Sequence, residues 1–261
     1  MTGVSAHREG AITTITLDRP EVLNAFDATV AAGVAEAIRA AADDTSCRVI
    51  VLTGAGRSFC AGADLKHLKD IITTRDRRRA SALVSSGAGI VQAIVSASKP
   101  VIAAVNGPAA GGGASLALAC DVRVASTEAS IGAVFNRIGL HPDLGATYFL
   151  PLLVGFGRAM ELVLSGEMVP ADEAHRIGLF NRLVRPEALM AETQAFARTL
   201  AAKAPLALSR ARRSMHAAVR SSLEEVLAAE LEQQLALFES DDAREALLAF
   251  IEKRPPVFGG H

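Results

Sequence analysis

Residues 11–18, AITTITLD, alternate apolar and polar side chains with the period of two that a half-buried strand requires. From 27 to 42 the apolar positions, among them Val30, Val34 and Ile38, recur instead at the spacing of one helical face. The run RVIVLT at 48–53 is continuously apolar and β-branched, and residues 54–59 read as a loop before a helical stretch that begins near Ala63. VIAAV, a glycine-rich loop, a helix in ASLALAC and a strand in DVRVAS continue the alternation. Strands alternating with helices predict an α/β chain, its strands mostly parallel and its helices packed outside. After Gly155 the strand signal fades. Helices are expected over 158–164, 171–177, 186–202, 206–219 and 223–239, with Pro170 and Pro186 where helices can start and Pro205 between two of them. The apolar stripe of this tail fits either a cap on its own core or an exchange of faces with a neighbouring subunit.

Composition narrows the function classes. In 261 residues, 50% are hydrophobic, enough for one large core or two small domains. With 27 Lys and Arg against 28 Asp and Glu, the net charge of -1 gives no long-range pull toward nucleic acid or an anionic membrane, so an anionic ligand must be held by local groups. Cys47, Cys60 and Cys120 show neither C-x-x-C nor zinc-ligand spacing, and the six His are scattered. No metal site or disulfide framework is therefore expected, and the thiols suit a reducing compartment. The first twenty residues lack the apolar centre of a secretory leader, and the protein is read as cytoplasmic. The uncharged stretch 100–120 is long enough to raise the question of a membrane span, but Asn106-Gly107-Pro108 and Gly111-Gly112-Gly113 break it into a buried strand and a buried helix. The basic run RDRRRA at 75–80 reads as a solvated helix face or, if it acts, as a surface toward ligand phosphates.

Two loops carry candidate chemistry: SFCAGADLK at 58–66 and NGPAAGGGASLALA at 106–119, each between a strand and a helix. Glycine there lets the backbone approach a ligand, and a helix N-terminus supplies unpaired N–H groups that favour negative charge. Neither loop has the spacing of a dinucleotide or phosphate-binding motif, so a nucleotide cofactor loses its main support. Taken alone, three consecutive glycines also fit mere close packing of helix on strand.

The order of several motifs adds a resemblance. LDRPEVLNAFD, SFCAGADL, KPVIAAVNGPAAGGG, CDVRVAS, GLHPDLGATYFLPLLVG, GEMVPADEAHRIGLFNRLV and SDDAREALLAFIEKRPPVF together resemble the crotonase, or enoyl-CoA hydratase/isomerase, superfamily over nearly the whole chain. The resemblance implies an α/β fold, a crotonase-like spiral of ββα units over residues 1–200, followed by a C-terminal helical trimerisation region over 201–261. It implies a homotrimer or dimer of trimers that binds an acyl-CoA thioester, with no separate cofactor, metal, nucleic acid or membrane. The family's oxyanion-hole amides map to Ala63 and Gly112. Its coenzyme A-contacting backbone maps to Asn24, Ala25, Phe26, Ala61, Asp64 and Leu65, with Lys66 and Lys253 as phosphate contacts or ordinary solvated charges.

The side chains depart from the best-known relatives. Enoyl-CoA hydratases of this family use two glutamates, and the matching positions here are Ser115 and Phe135, neither able to act as an acid or base. Asp143 matches an aspartate used by dienoyl-CoA isomerases, ring-epoxide isomerases and aryl-CoA dehalogenases; the absence of Trp disfavours the last. One carboxylate suffices for a 1,3-proton shift, and the apolar residues Phe135, Leu140, Leu144 and Phe149 would raise its pKa. Read locally, however, His-Pro-Asp-Leu-Gly is also a turn with Asp143 as N-cap of the next helix. Ser115 would contact substrate or water, or its own helix backbone. The expectation is an acyl-CoA double-bond isomerase; hydration by another route, or a silent acyl-CoA-binding homologue, remain as alternatives.

Overall fold

The computed structural model describes residues 3–261; Met1 and Thr2, at the head of the stretch read as leader-free, lie outside the described residues. The first strands are β1 (Val4–Glu9) and β2 (Ile12–Leu17), then β3 (Val49–Gly54), β4 (Val101–Val105), β5 (Ala109–Ala110), β6 (Val122–Ser126), β7 (Ser130–Gly132), β8 (Val169–Pro170) and β9 (Arg182–Val184). The main sheet runs in the order β1-β2-β3-β4-β6-β9, and every pairing except β1 with β2 is parallel. Three short strands, β5, β7 and β8, form a second sheet.

The unbroken apolar runs follow from burial on both faces of a parallel sheet. Ile50 and Leu52 of β3, with Val101, Ala103 and Val105 of β4, join the larger core beneath the helices α1 (Ala28–Asp43) and α3 (Arg77–Ser96). The alternate residues Val49, Val51, Ile102 and Ala104 pack on the other face with Leu189 and Ala197 of α8 (Leu189–Ala201). Helix α1 starts where expected because the Asp27 carboxylate accepts the N–H groups of Thr29 and Val30, each at 2.9 Å. The remaining helices are α2 (Leu65–Thr74), α4 (Gly112–Ala119), α5 (Ala146–Val154), α6 (Phe156–Ser165), α7 (Ala171–Arg176), α9 (Pro205–Ala218), α10 (Leu223–Phe238) and α11 (Asp241–Glu252).

Several elements lay outside the pattern-based reading: β1, β9 and the two- and three-residue strands β5, β7 and β8. β1 is antiparallel and largely exposed, so its sequence carries no apolar alternation. β9 is a three-residue strand inside the region expected to be helical; its pairing with β6, not its own composition, makes it a strand. The segment 186–202 divides into a short 3-10 turn, Pro186–Ala188, and α8.

The last helices pack mainly on one another, and polar contacts tie them back to the core. From α9, Arg212 donates to the carbonyls of Ile94, Val95 and Ala97 at the end of α3 and, at 2.7 Å, to the Asp121 carboxylate. Burial opposes ionisation of Asp121, but hydrogen bonds from His216, Arg212 and the Val101 N–H, together with the charge of Arg212, hold its carboxyl below the ordinary value. Among the described residues no helix is long and apolar enough to cross a membrane.

Candidate active site

Two loops meet at the ends of β3 and β4. Phe26 pairs with Ala63 in an isolated parallel bridge whose bonds run from Phe26 N–H to the Gly62 carbonyl and from Asp64 N–H to the Phe26 carbonyl, both 2.9 Å. In such a bridge the flanking residues supply the bonds, so the amide of Ala63 itself faces away from Phe26. Gly112 opens α4, where the first turn leaves its N–H without an intrahelical acceptor. Neither amide donates to a backbone acceptor among the described residues, and both residues line one cavity of about 660 Å³. Donors fixed in this way favour negative charge developing on a substrate oxygen.

Glycine brings the loops this close. Gly62 has φ +88, and a Cβ on it would stand 2.9 Å from the Ala110 carbonyl oxygen and 3.0 Å from the Gly112 nitrogen. At Gly113 a Cβ would overlap the Cys60 carbonyl, only 2.7 Å from its carbon. The close-packing reading of GGG holds at Gly113, while Gly112 lies on the cavity lining. Behind the loops, Asn24 is buried and donates to the carbonyls of Ala55 (2.8 Å) and Ser58 (2.7 Å) while accepting from Arg19 N–H. Burial pushes the Cys60 thiol up to about 12, so it stays a neutral packing group.

Asp143 lines the same cavity and does not cap α5. The helix begins after Gly145, its N-cap, with no side-chain hydrogen bond; it is the main-chain carbonyl of Asp143 that accepts from Ala146 N–H at 3.0 Å. The turn reading of His-Pro-Asp-Leu-Gly therefore holds for the backbone and fails for the carboxylate. Burial lifts the Asp143 carboxyl above its ordinary value; His141 and the residue's own N–H oppose this only in part. Leu144 follows in the left-handed region at φ 52. Its side chain sits in a notch, within 2.6 Å of where a Cβ on Gly87 would lie and 3.1 Å of one on Gly112.

The other expected residues divide into two groups. Ala25, Phe26, Ala61, Asp64, Leu65, Lys66 and Phe135 line the cavity. Asn24 and Ser115 stand behind its wall, and Lys253 is the left-handed cap at the end of α11, outside the cavity of this chain. Asp64 is occupied: it caps α2 through Lys66 and His67 N–H and receives Arg19 at 3.2 Å. Sequence reasoning missed Arg57 and Arg137, two exposed cations on the lining, and Leu83 and Val84 from α3. For Arg57 the signal was its place in the loop leading into SFCAGAD; for Leu83 and Val84 there was none, because an amphipathic helix does not reveal which cavity it walls.

The fold is that of the crotonase superfamily. The crystal structure of an enoyl-CoA hydratase from Bacillus anthracis superposes with a TM-score of 0.95 at 31% identity, covering 100% of both chains. The sequence model of the enoyl-CoA hydratase/isomerase family matches residues 7–261, and the chain belongs to that family of acyl-CoA enzymes. It is 34% identical to the short-chain-enoyl-CoA hydratase of Clostridium acetobutylicum, over 97% of this chain and 96% of that one. It is 37% identical to the 1,2-epoxyphenylacetyl-CoA isomerase of Escherichia coli, over 98% of each.

Proposed function

We propose that the protein is an acyl-CoA double-bond isomerase in which Asp143 carries the proton. The observation that carries this reading is a partly buried carboxylate, free of ion pairs among the described residues and of capping duty, on the wall that also holds the unspent amides of Ala63 and Gly112. Asp143 takes a proton from the carbon beside the thioester carbonyl, the electrons move onto the oxygen held by the two amides, and the same proton returns at the far end of the conjugated system. Arg57, Lys66 and Arg137 at the rim supply cations for the phosphates of coenzyme A.

A second reading, hydration, draws on the names of the Clostridium relative and of a Rhodobacter capsulatus relative 42% identical, a probable enoyl-CoA hydratase. Against it stands the lining at Phe135 and the buried Ser115, which provide no second carboxylate. Absorbance of the conjugated thioester separates the two: a 3-enoyl-CoA gains it on isomerisation, whereas crotonyl-CoA loses it on hydration. Bleaching of crotonyl-CoA without conversion of any 3-enoyl-CoA would sink the isomerase reading, and binding without turnover of either would point to a silent homologue.

The raised Asp143 carboxyl sets a pH dependence. The base must be ionised, so kcat/KM should fall as acid protonates it, with an apparent midpoint above the ordinary 3.8. A pH–rate profile in which the acid limb lies at or below that value would contradict a desolvated base.

The surface of α10 supports assembly. Leu223, Leu227, Leu231 and Leu235 recur every fourth residue and, like Phe238, are each more than half exposed. Such a stripe is covered by another copy rather than by water, and light scattering should return three or six times the 27.2 kDa protomer mass.

A further inference from the structure

Ser115 is completely buried on α4, one turn beyond Gly112, and does not reach the cavity. Its hydroxyl lies 3.3 Å from the Gly111 carbonyl of its own helix and 3.0 Å from the main-chain carbonyl of Asp143. A helical serine has its own i−4 carbonyl within reach by default; the shorter contact crosses to another element. Because no side chain among the described residues bonds the Asp143 carboxylate, its aim is set by the backbone that carries it. That backbone precedes two left-handed residues, Leu144 at φ 52 and Gly145 at φ 83, a conformation that needs external support when the first is not glycine. Leu144 is held in the notch between Gly87 and Gly112 on one side, and Ser115 holds the preceding carbonyl on the other.

We propose that Ser115 is a positioning residue: its hydroxyl pins the Asp143 peptide to the helix that presents the Gly112 amide, fixing the carboxylate relative to the oxygen-binding donors. The inference rests on the reading of Asp143 as proton shuttle. It is tested by exchange of the α-protons of butyryl-CoA in D2O, read by mass spectrometry, alongside butyryl-CoA affinity and melting temperature. Ser115→Ala should slow exchange about 10- to 100-fold, the effect of a displacement near 1 Å, with affinity within about twofold of wild type. Ser115→Cys, similar in size with a weak donor, should fall between the two and carries the comparison should the alanine variant not fold. Exchange within about twofold of wild type, or a fall matched by an equal loss of affinity, overturns the proposal. An Asp143→Asn variant that exchanges at the wild-type rate, or a wild type that exchanges nothing, overturns instead the role of Asp143, and this inference with it.

Discussion

Asp143→Asn is expected to reduce turnover about 10³-fold while KM for the acyl thioester stays within about twofold. The amide keeps the shape of the side chain and leaves the main-chain contacts of residue 143 to Ser115 and Ala146 in place, so only proton transfer is removed. Stability should move the other way. A carboxyl whose folded pKa exceeds its unfolded value binds protons more tightly in the folded state, so its ionisation near neutrality costs stability, a cost absent below the unfolded pKa. The variant should therefore melt at or above the wild-type temperature at pH 7 and show no such gain at pH 3. A variant with wild-type turnover, or one much less stable at pH 7, would return Asp143 to a structural role.

Gly113→Ala has the largest expected effect on the scaffold. Its Cβ would intrude on main-chain atoms of Cys60 and stand 2.8 Å from the Cys60 Cβ. Both elements are buried, so neither can swing aside as a flexible side chain would. Overpacking of this kind should cost about 3 kcal/mol, or roughly 10 °C in Tm for a chain of this size. It should also cost catalysis, since separating the two loops separates the Ala63 and Gly112 amides, and loss of one such donor lowers kcat by about 10²-fold or more. Calorimetry and kcat together check it: a variant normal in both would mean that the loops are not in the contact described.

The parallel strands and α1 were legible because burial on both faces and an amphipathic spacing leave strong patterns in RVIVLT, VIAAV and residues 27–42. β1 and β9 were not, since their strand character comes from a neighbour's free edge. The amides of Ala63 and Gly112 were placed by motif, and the bridge at Phe26 gives the physical reason that one of them is unspent. For Asp143 local sequence favoured a cap over an acid or base, and no local rule separates a residue whose carbonyl makes the turn from one whose carboxylate does. The contact from Ser115 was invisible for another reason: it joins positions 28 residues apart, and serine in a helix ordinarily bonds its own turn.

Arg212 bears on the order in which the enzyme is completed. The helix that contributes Leu83 and Val84 to the cavity wall ends at Ser96, and the guanidinium that bonds the carbonyls around that end belongs to a residue more than a hundred positions later. While the chain is being synthesised, the carbonyls of Ile94, Val95 and Ala97 lack this guanidinium until α9 has emerged. The cavity-wall helix thus gains these contacts only late in synthesis, and a nascent chain cut short before α9 would lack them.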